Sequence, residues 1–311
     1  MNLDFSVFWT RLEPLVIFSI LVAVGILLRV TKVLKREDSK PLNNLILKVA
    51  LPALIFKAVI GVELSFDLVK VVGVGLLVLP VMLLLSWLMC SLIKPARPLK
   101  GAVFICVVWA NTGYIGLPLT QAFFGDQYLA TSAFYDVFVT VIPLFLIGVP
   151  IAAHFGSSGG RKNNPFLELI RMPPVLSLVF ALVVKMTAIT LPAIIFSLLN
   201  TASAIAAPLI MISVGLSLYP GRLSGNLGLV FGICSLRLIV APLVAFSLGL
   251  LLIEPGVFHQ IVTLQASMPV IMLSLVFAQR YKLDEGFVAT TIFISICLSA
   301  ITIPLLQTLL F

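Results

Sequence analysis

Asn111 and Thr112 stand in the run VVWANTGYIGLPLTQAFFG, with Gly113, Gly116 and Pro118 close behind them. Amide and hydroxyl groups donate and accept hydrogen bonds but have no activating base in this run. The chemistry they suggest is recognition of a polar guest rather than bond breaking. A second run, LQASMPVIMLSLVFAQRY, places Gln265, Ser267 and Met268 just before Pro269. Proline lacks an N–H and its ring crowds the carbonyl four residues earlier. Pro118 is therefore expected to free the carbonyl of Tyr114, while Gly113 and Gly116 weaken the helix around it. Bare backbone in hydrocarbon costs several kcal/mol per group, so such a break persists only against protein or a wet cavity. Half-helices that begin beyond each proline, near mid-membrane, present free N–H groups and partial positive charge, which favour an anion. A lone Pro/Gly kink is more simply a packing device. Two kinks at matching depth, one beside Asn-Thr, favour a binding centre.

Two charges fall inside apolar stretches. Arg237, in ICSLRLIVAP, lies roughly 12–16 Å from the cytoplasmic edge by helical rise. It either holds carbonyls freed by the broken helices or adds to an anion-attracting potential; snorkelling to the surface is the bland alternative. Asp136, in FYDVF, lies about 12 Å below the outer edge. Pairing with Arg237, uptake of a coupling proton and plain polar lining are all open to it. Lys48 is expected to snorkel and Lys57 to be interfacial, while His154 and His259 read as loop or boundary residues. Cys90, Cys106, Cys234 and Cys297 all lie in apolar runs and read as packing residues. No zinc-like spacing, phosphate loop or HExxH is found, so neither an enzyme nor a metal or cofactor is expected.

These residues must be held by elements that cross lipid. The chain has 311 residues, of which 61% are hydrophobic and only 10% charged. Its mean hydropathy is +1.20. Soluble domains carry about 25% charged residues, and a span needs about 20 apolar ones. The expectation is an all-α polytopic membrane protein with ten spans at about 13–31, 42–60, 68–92, 101–124, 128–153, 174–191, 193–219, 226–253, 257–280 and 286–310. No cleavable signal peptide is expected, because residues 1–13 carry Asp4 and Glu13. The net charge of +8 does not indicate nucleic acid, since the basic residues sit in short loops beside anionic lipid. With both termini outside, fourteen of the twenty Lys and Arg fall in inside loops, among them Arg29, Lys32, Lys94, Arg161, Lys162, Arg222 and Lys282. The positive-inside rule then places both termini extracytoplasmic in a cell membrane.

Five spans per half is an odd number, so a repeated half must be inverted. The expected organisation is a first five-helix repeat at 1–155, a cytoplasmic connector at 156–172 and an inverted repeat at 173–311. Pro52 and Pro208, Pro80 and Pro242, and Pro118 and Pro269 fall at corresponding places in the two halves. Inverted-repeat transporters build their sites where broken helices meet at the midplane. With no nucleotide-binding loop, the energy source is a gradient or a separate ATPase.

NTGYIGLPL (111–119), LPALIF (51–56), APLIMISVGLSL (207–218), RLIVAPL (237–243) and the segment ending at Pro269 resemble, in this order and over nearly the full length, the auxin efflux carrier family of permeases. That family belongs to a wider group with the bile-acid sodium symporters. The resemblance implies two inverted five-helix repeats with crossing broken helices 4 and 9. It further implies a transport domain of helices 3–5 and 8–10 moving against a scaffold of helices 1, 2, 6 and 7. Pro52, Phe56 and Pro208 would belong to the scaffold wall. Plant members export an auxin carboxylate, and bacterial relatives are linked to dicarboxylates such as malate or malonate. This chain has a connector of only about 20 residues where many plant members have a long hydrophilic loop, which suits a compact permease rather than auxin itself. Met268 stands where an amide would make the two halves more alike. The implied activity is secondary transport of a small organic anion by elevator-like alternating access. The coupling ion is a proton, sodium or none, and a homodimer stays open. Sodium-coupled symport is the alternative within transport; a non-transporting subunit or an intramembrane enzyme is the alternative outside it.

Overall fold

The computed structural model describes residues 5–61, 65–156, 165–187, 191–218 and 226–310, with side chains from Val16 onward except Arg36 and Pro165. Arg11, Arg161, Lys162 and Arg222, and residues 157–164 of the expected connector, lie outside the described side chains. The architecture is helical throughout, and the described residues contain no β-strand, only one isolated bridge. In chain order the helices are α1 (Phe5–Val30), α2 (Ser39–Gly61), α3 (Phe66–Ile93), α4 (Arg97–Val108), α5 (Leu117–Phe124), α6 (Asp126–Phe155), α7 (Pro165–Ile170), α8 (Pro173–Met186), α9 (Ala193–Ser217, bent at Ile205), α10 (Leu227–Leu252), α11 (Val257–Ala266), α12 (Leu273–Tyr281) and α13 (Glu285–Leu310). Six of them, α2, α3, α6, α9, α10 and α13, are long and apolar enough to cross a bilayer. The segment Val16–Val30 of α1 and all of α8 are shorter apolar helices.

Proline shapes these rods in a regular way. Widened π-turns occupy Ile46–Ala50, Thr112–Gly116, Asp136–Val141, Leu144–Gly148 and Leu236–Val240. Each ends two residues before a proline: Pro52, Pro118, Pro143, Pro150 and Pro242. A proline ring clashes with the carbonyl one turn earlier, and widening that turn swings the carbonyl aside without ending the helix. Pro80 and Pro304 are carried within plain α-helix.

The chain forms two compact units. The first comprises Met1–Leu64, Gly113–Phe134 and Ile170–Leu218. There α1 and α9 meet backbone to backbone at Gly25 and Gly215. A Cβ on Gly215 would collide with the Val22 carbonyl oxygen, and one on Gly25 with that of Ile212. Glycine is required for this approach, the small-residue packing that membrane helices use in place of a hydrophobic drive. Basic side chains close two helix C-termini here: Arg29 donates to the Leu218 carbonyl beyond α9, and Lys185 to the Ile60 carbonyl of α2 at 3.0 Å. Both complement the negative end of a helix dipole. Lys57 pairs with Asp126 at 2.9 Å, which also accepts from Gln121 at 2.8 Å.

The second unit comprises Ser65–Thr112, Tyr135–Leu169 and Tyr219–Phe311. Arg280, in the last turn of α12, holds Glu168 of α7 through two parallel contacts of 2.7 and 2.8 Å, the bidentate geometry that suits guanidinium and carboxylate. His259 departs from its sequence reading as a boundary residue: it is buried, with Nε2 2.9 Å from the Phe246 carbonyl oxygen and its ring stacked on Phe246 at 4.8 Å. Gly249 gives the imidazole its space, since a Cβ there would strike the ring. Cys90, Cys106 and Cys234 are buried and Cys297 exposed, all as free thiols. Lys48 is exposed, and His154 is exposed at the end of α6.

Candidate functional site

The second unit is organised around two interruptions. Helix α4 stops at Val108, and the chain runs extended through Trp109–Asn111 before turning helical again at Thr112. Helix α11 stops at Ala266, and Ser267–Met272 is non-helical before α12. The two extended pieces lie antiparallel: Ala110 bridges Val270, the Asn111 N–H donates to the Pro269 carbonyl at 2.8 Å, and the Ile271 N–H donates to the Trp109 carbonyl at 3.2 Å. A scrap of β-ladder thus satisfies backbone groups that neither interrupted helix can satisfy alone.

The first interruption is not where the sequence places it. Pro118 was expected to cause it, but the gap ends at Asn111, and Pro118 sits in the first turn of α5. A missing N–H is harmless at that position, and the π-turn before it relieves the ring clash. Pro269, by contrast, lies inside its gap. The two prolines therefore do not occupy matching places relative to the crossing.

Arg237 binds the crossing together. It is 3% exposed, on the π-turn of α10, and donates to the carbonyls of Val107 at 3.4 Å and Val108 at 3.0 Å, and to that of Ala266. These are the final carbonyls of α4 and α11. One guanidinium thus meets the negative ends of two helices, where a planar fork of donors serves better than a single ammonium. Of the two roles open from sequence, the geometry supplies the carbonyl-holding one. Asp136 does not pair with Arg237: its Oδ1 lies 2.6 Å from Thr112 Oγ1, which lies 2.8 Å from Thr140 Oγ1. On the other side of the crossing, the Val270 N–H donates to Ser295 Oγ at 3.2 Å. The two interruptions are thus tied to α6 and α13 respectively.

The remaining expected residues separate clearly. Gln265 is fully buried in the last turn of α11, Met268 is fully buried in the gap, and Ser267 donates locally to the Leu264 carbonyl at 2.7 Å. Asn111 is buried, and its Nδ2 has no hydrogen-bond partner. The indole Nε1 of Trp109 and the Nε of Arg237 are buried donors in the same condition. All three are donors without acceptors, each carrying a desolvation cost of about 1–3 kcal/mol until something accepts from it. A small cavity lined by Trp109, Arg237, Tyr135, Thr140 and Gly75 offers about 10 Å³ to a water centre, room for one water. Gly113, Gly116 and Pro118 belong to the first unit, as do Pro52, Phe56 and Pro208. Phe56 is buried and stacks on Phe180 at 5.5 Å, Pro52 accepts from Ser177 at 2.6 Å, and Pro208 is exposed. Trp109 and Thr140 escaped the sequence reading. Thr140 was findable, because it follows Asp136 by four residues and so shares its helix face.

Among the described residues, helices throughout, six of them long and apolar enough to cross a bilayer, together with a crossing of two interrupted segments define the class as a polytopic membrane protein. Residues 10–165 and 163–307 match the family model described as membrane transport protein. An uncharacterized transporter of Methanocaldococcus jannaschii is 30% identical over 306 residues, 94% of this chain and 97% of that protein. An uncharacterized transporter of Methanothermobacter thermautotrophicus is 30% identical over 308 residues, 96% and 98% respectively. The transporter YfdV of Escherichia coli is 22% identical over 277 residues, covering 86% of this chain and 88% of its own. The chain belongs to this membrane transport protein family, that of the auxin efflux carriers.

Proposed function

We propose that the protein is a secondary transporter for a small organic anion of the mono- or dicarboxylate class. Its ten spans would form two inverted five-helix repeats with both termini extracytoplasmic in a cell membrane. The observation that carries the anion reading is the Asn111 amide, a buried donor without a partner beside the crossing. A carboxylate brings the acceptors that Asn111 Nδ2 and Trp109 Nε1 lack. Arg237 contributes net positive charge at the same depth and keeps the crossing intact. Elevator-like alternating access would then carry the crossing across the membrane as a body. Sodium coupling has weaker support, since an oxygen-seeking cation needs freed carbonyls and Arg237 already takes those at the ends of α4 and α11.

Uptake of radiolabelled malonate, succinate and acetate into proteoliposomes tests this reading. Asn111→Ala removes one hydrogen bond to a charged guest, and the rate for the transported acid is expected to fall roughly 10- to 100-fold. Wild-type rates for every acid that the wild type carries would show that the site is elsewhere.

A further inference from the structure

Asp136 is the only acidic side chain buried among the described residues. No cation neutralises it there. The ion pairs found are Lys57–Asp126, Lys70–Asp67 and Arg280–Glu168, and Arg237 is committed to carbonyls. Its partner is the Thr112 hydroxyl, and a hydroxyl has a single hydrogen. Thr112 Oγ1 stands within hydrogen-bond distance of both Asp136 and Thr140, so it donates to one and accepts from the other. The chain of three has two polarities. With Asp136 ionised, Thr140 donates to Thr112 and Thr112 to Asp136. With Asp136 protonated, Asp136 donates to Thr112, whose own hydrogen is released from the acid. Thr112 is also the next residue after Asn111, so the triad adjoins the candidate anion site along the chain.

We propose that Asp136, Thr112 and Thr140 form a one-proton site that makes anion binding depend on proton binding. This rests on the anion reading above. The carboxylate takes a proton from hydronium, leaving water, when the anion binds, and returns it to water on the opposite side of the membrane. The protonated acid is neutral and turns the Thr112 hydrogen to Thr140; the ionised acid holds that hydrogen and adds a second negative charge beside the guest, in a medium that screens poorly. One proton then moves with each anion. The oxygens of the triad are 2.6 and 2.8 Å apart, the separations of a hydrogen-bonded chain that carries a proton. Thr140 also lines the one-water cavity, which gives the proton a relay from the end of the chain. The ionisable groups around the triad are Tyr135, its chain neighbour, and Arg237, both of which line that cavity. The packed face of α3 brings Gly75, Val78 and Leu79, and the π-turn Leu144–Gly148 brings none.

Infrared difference spectra of the full-length protein in liposomes, taken between acid and alkaline pH, read the site without any cargo. A protonated-carboxyl band should appear on acidification in the wild type and in the control Asp126→Asn, and be lost in Asp136→Asn. In Thr112→Val it should shift in frequency, because the hydroxyl that accepts from the acid is gone; a merely structural threonine would leave it in place. With malonate as probe, wild-type affinity should fall about tenfold per pH unit on the alkaline side and be flat in Asp136→Asn. A band that is absent from the wild type, that survives in Asp136→Asn, or that titrates while malonate binding stays flat with pH overturns the proposal. If the band behaves as expected but malonate, succinate and acetate never bind, the proton site stands and the carboxylate cargo falls.

Discussion

Arg237→Met is expected to abolish transport and to lower stability by about 4 kcal/mol, the size that follows when one partner of a buried charged network is removed. The substitution keeps much of the side chain's length and apolar bulk but withdraws the donors to Val107, Val108 and Ala266. Two helix C-termini then face each other inside the protein with no positive charge between them, and each orphaned carbonyl adds about 1–3 kcal/mol. Arg237→Lys restores charge but not the fork. One ammonium cannot reach both helix ends with the same geometry, and we expect partial stability with transport below about a tenth of wild type. Thermal unfolding in detergent separates the two effects. If Arg237→Met melts and transports like the wild type, the crossing holds itself together by the Ala110–Val270 bridge alone.

Gly215→Val is expected to cost about 3 kcal/mol or more, with loss of folded protein on size-exclusion chromatography, although the residue is far in sequence from every candidate site residue except Pro208. The obstacle to a Cβ at Gly215 is the backbone carbonyl of Val22, which cannot rotate away as a side chain would. Gly25→Val meets the Ile212 carbonyl in the same way and should match it. Gly61→Ala and Gly73→Ala are the controls, because nothing lies within contact distance of a Cβ there, and they should melt within about 0.5 kcal/mol of wild type. Equal stability of Gly215→Val and Gly73→Ala would mean that α1 and α9 do not pack at their glycines.

Composition and hydrophobic run length were enough to establish an all-helical membrane chain, because lipid leaves the backbone few other solutions. The interruption near Asn111 was also legible, since Asn, Thr and Gly at mid-span make no sense against hydrocarbon. Its cause was not. Sequence assigns the break to Pro118, whereas the π-turn at Thr112–Gly116 absorbs that proline and the gap opens at Trp109. Whether a proline ends a helix or merely widens it depends on what satisfies the displaced backbone groups, and here the Ile271 N–H and Arg237 donate to carbonyls of the first interrupted segment while the Pro269 carbonyl accepts from the Asn111 N–H, all from more than a hundred residues away. The same limit applies to the charges. The sequence fixes that Arg237 and Asp136 are buried ionisable groups and leaves their pairing open. Only the tertiary structure turned Arg237 to carbonyls and Asp136 to Thr112, because a hydrogen bond is decided by tenths of an ångström between elements whose spacing no local pattern encodes.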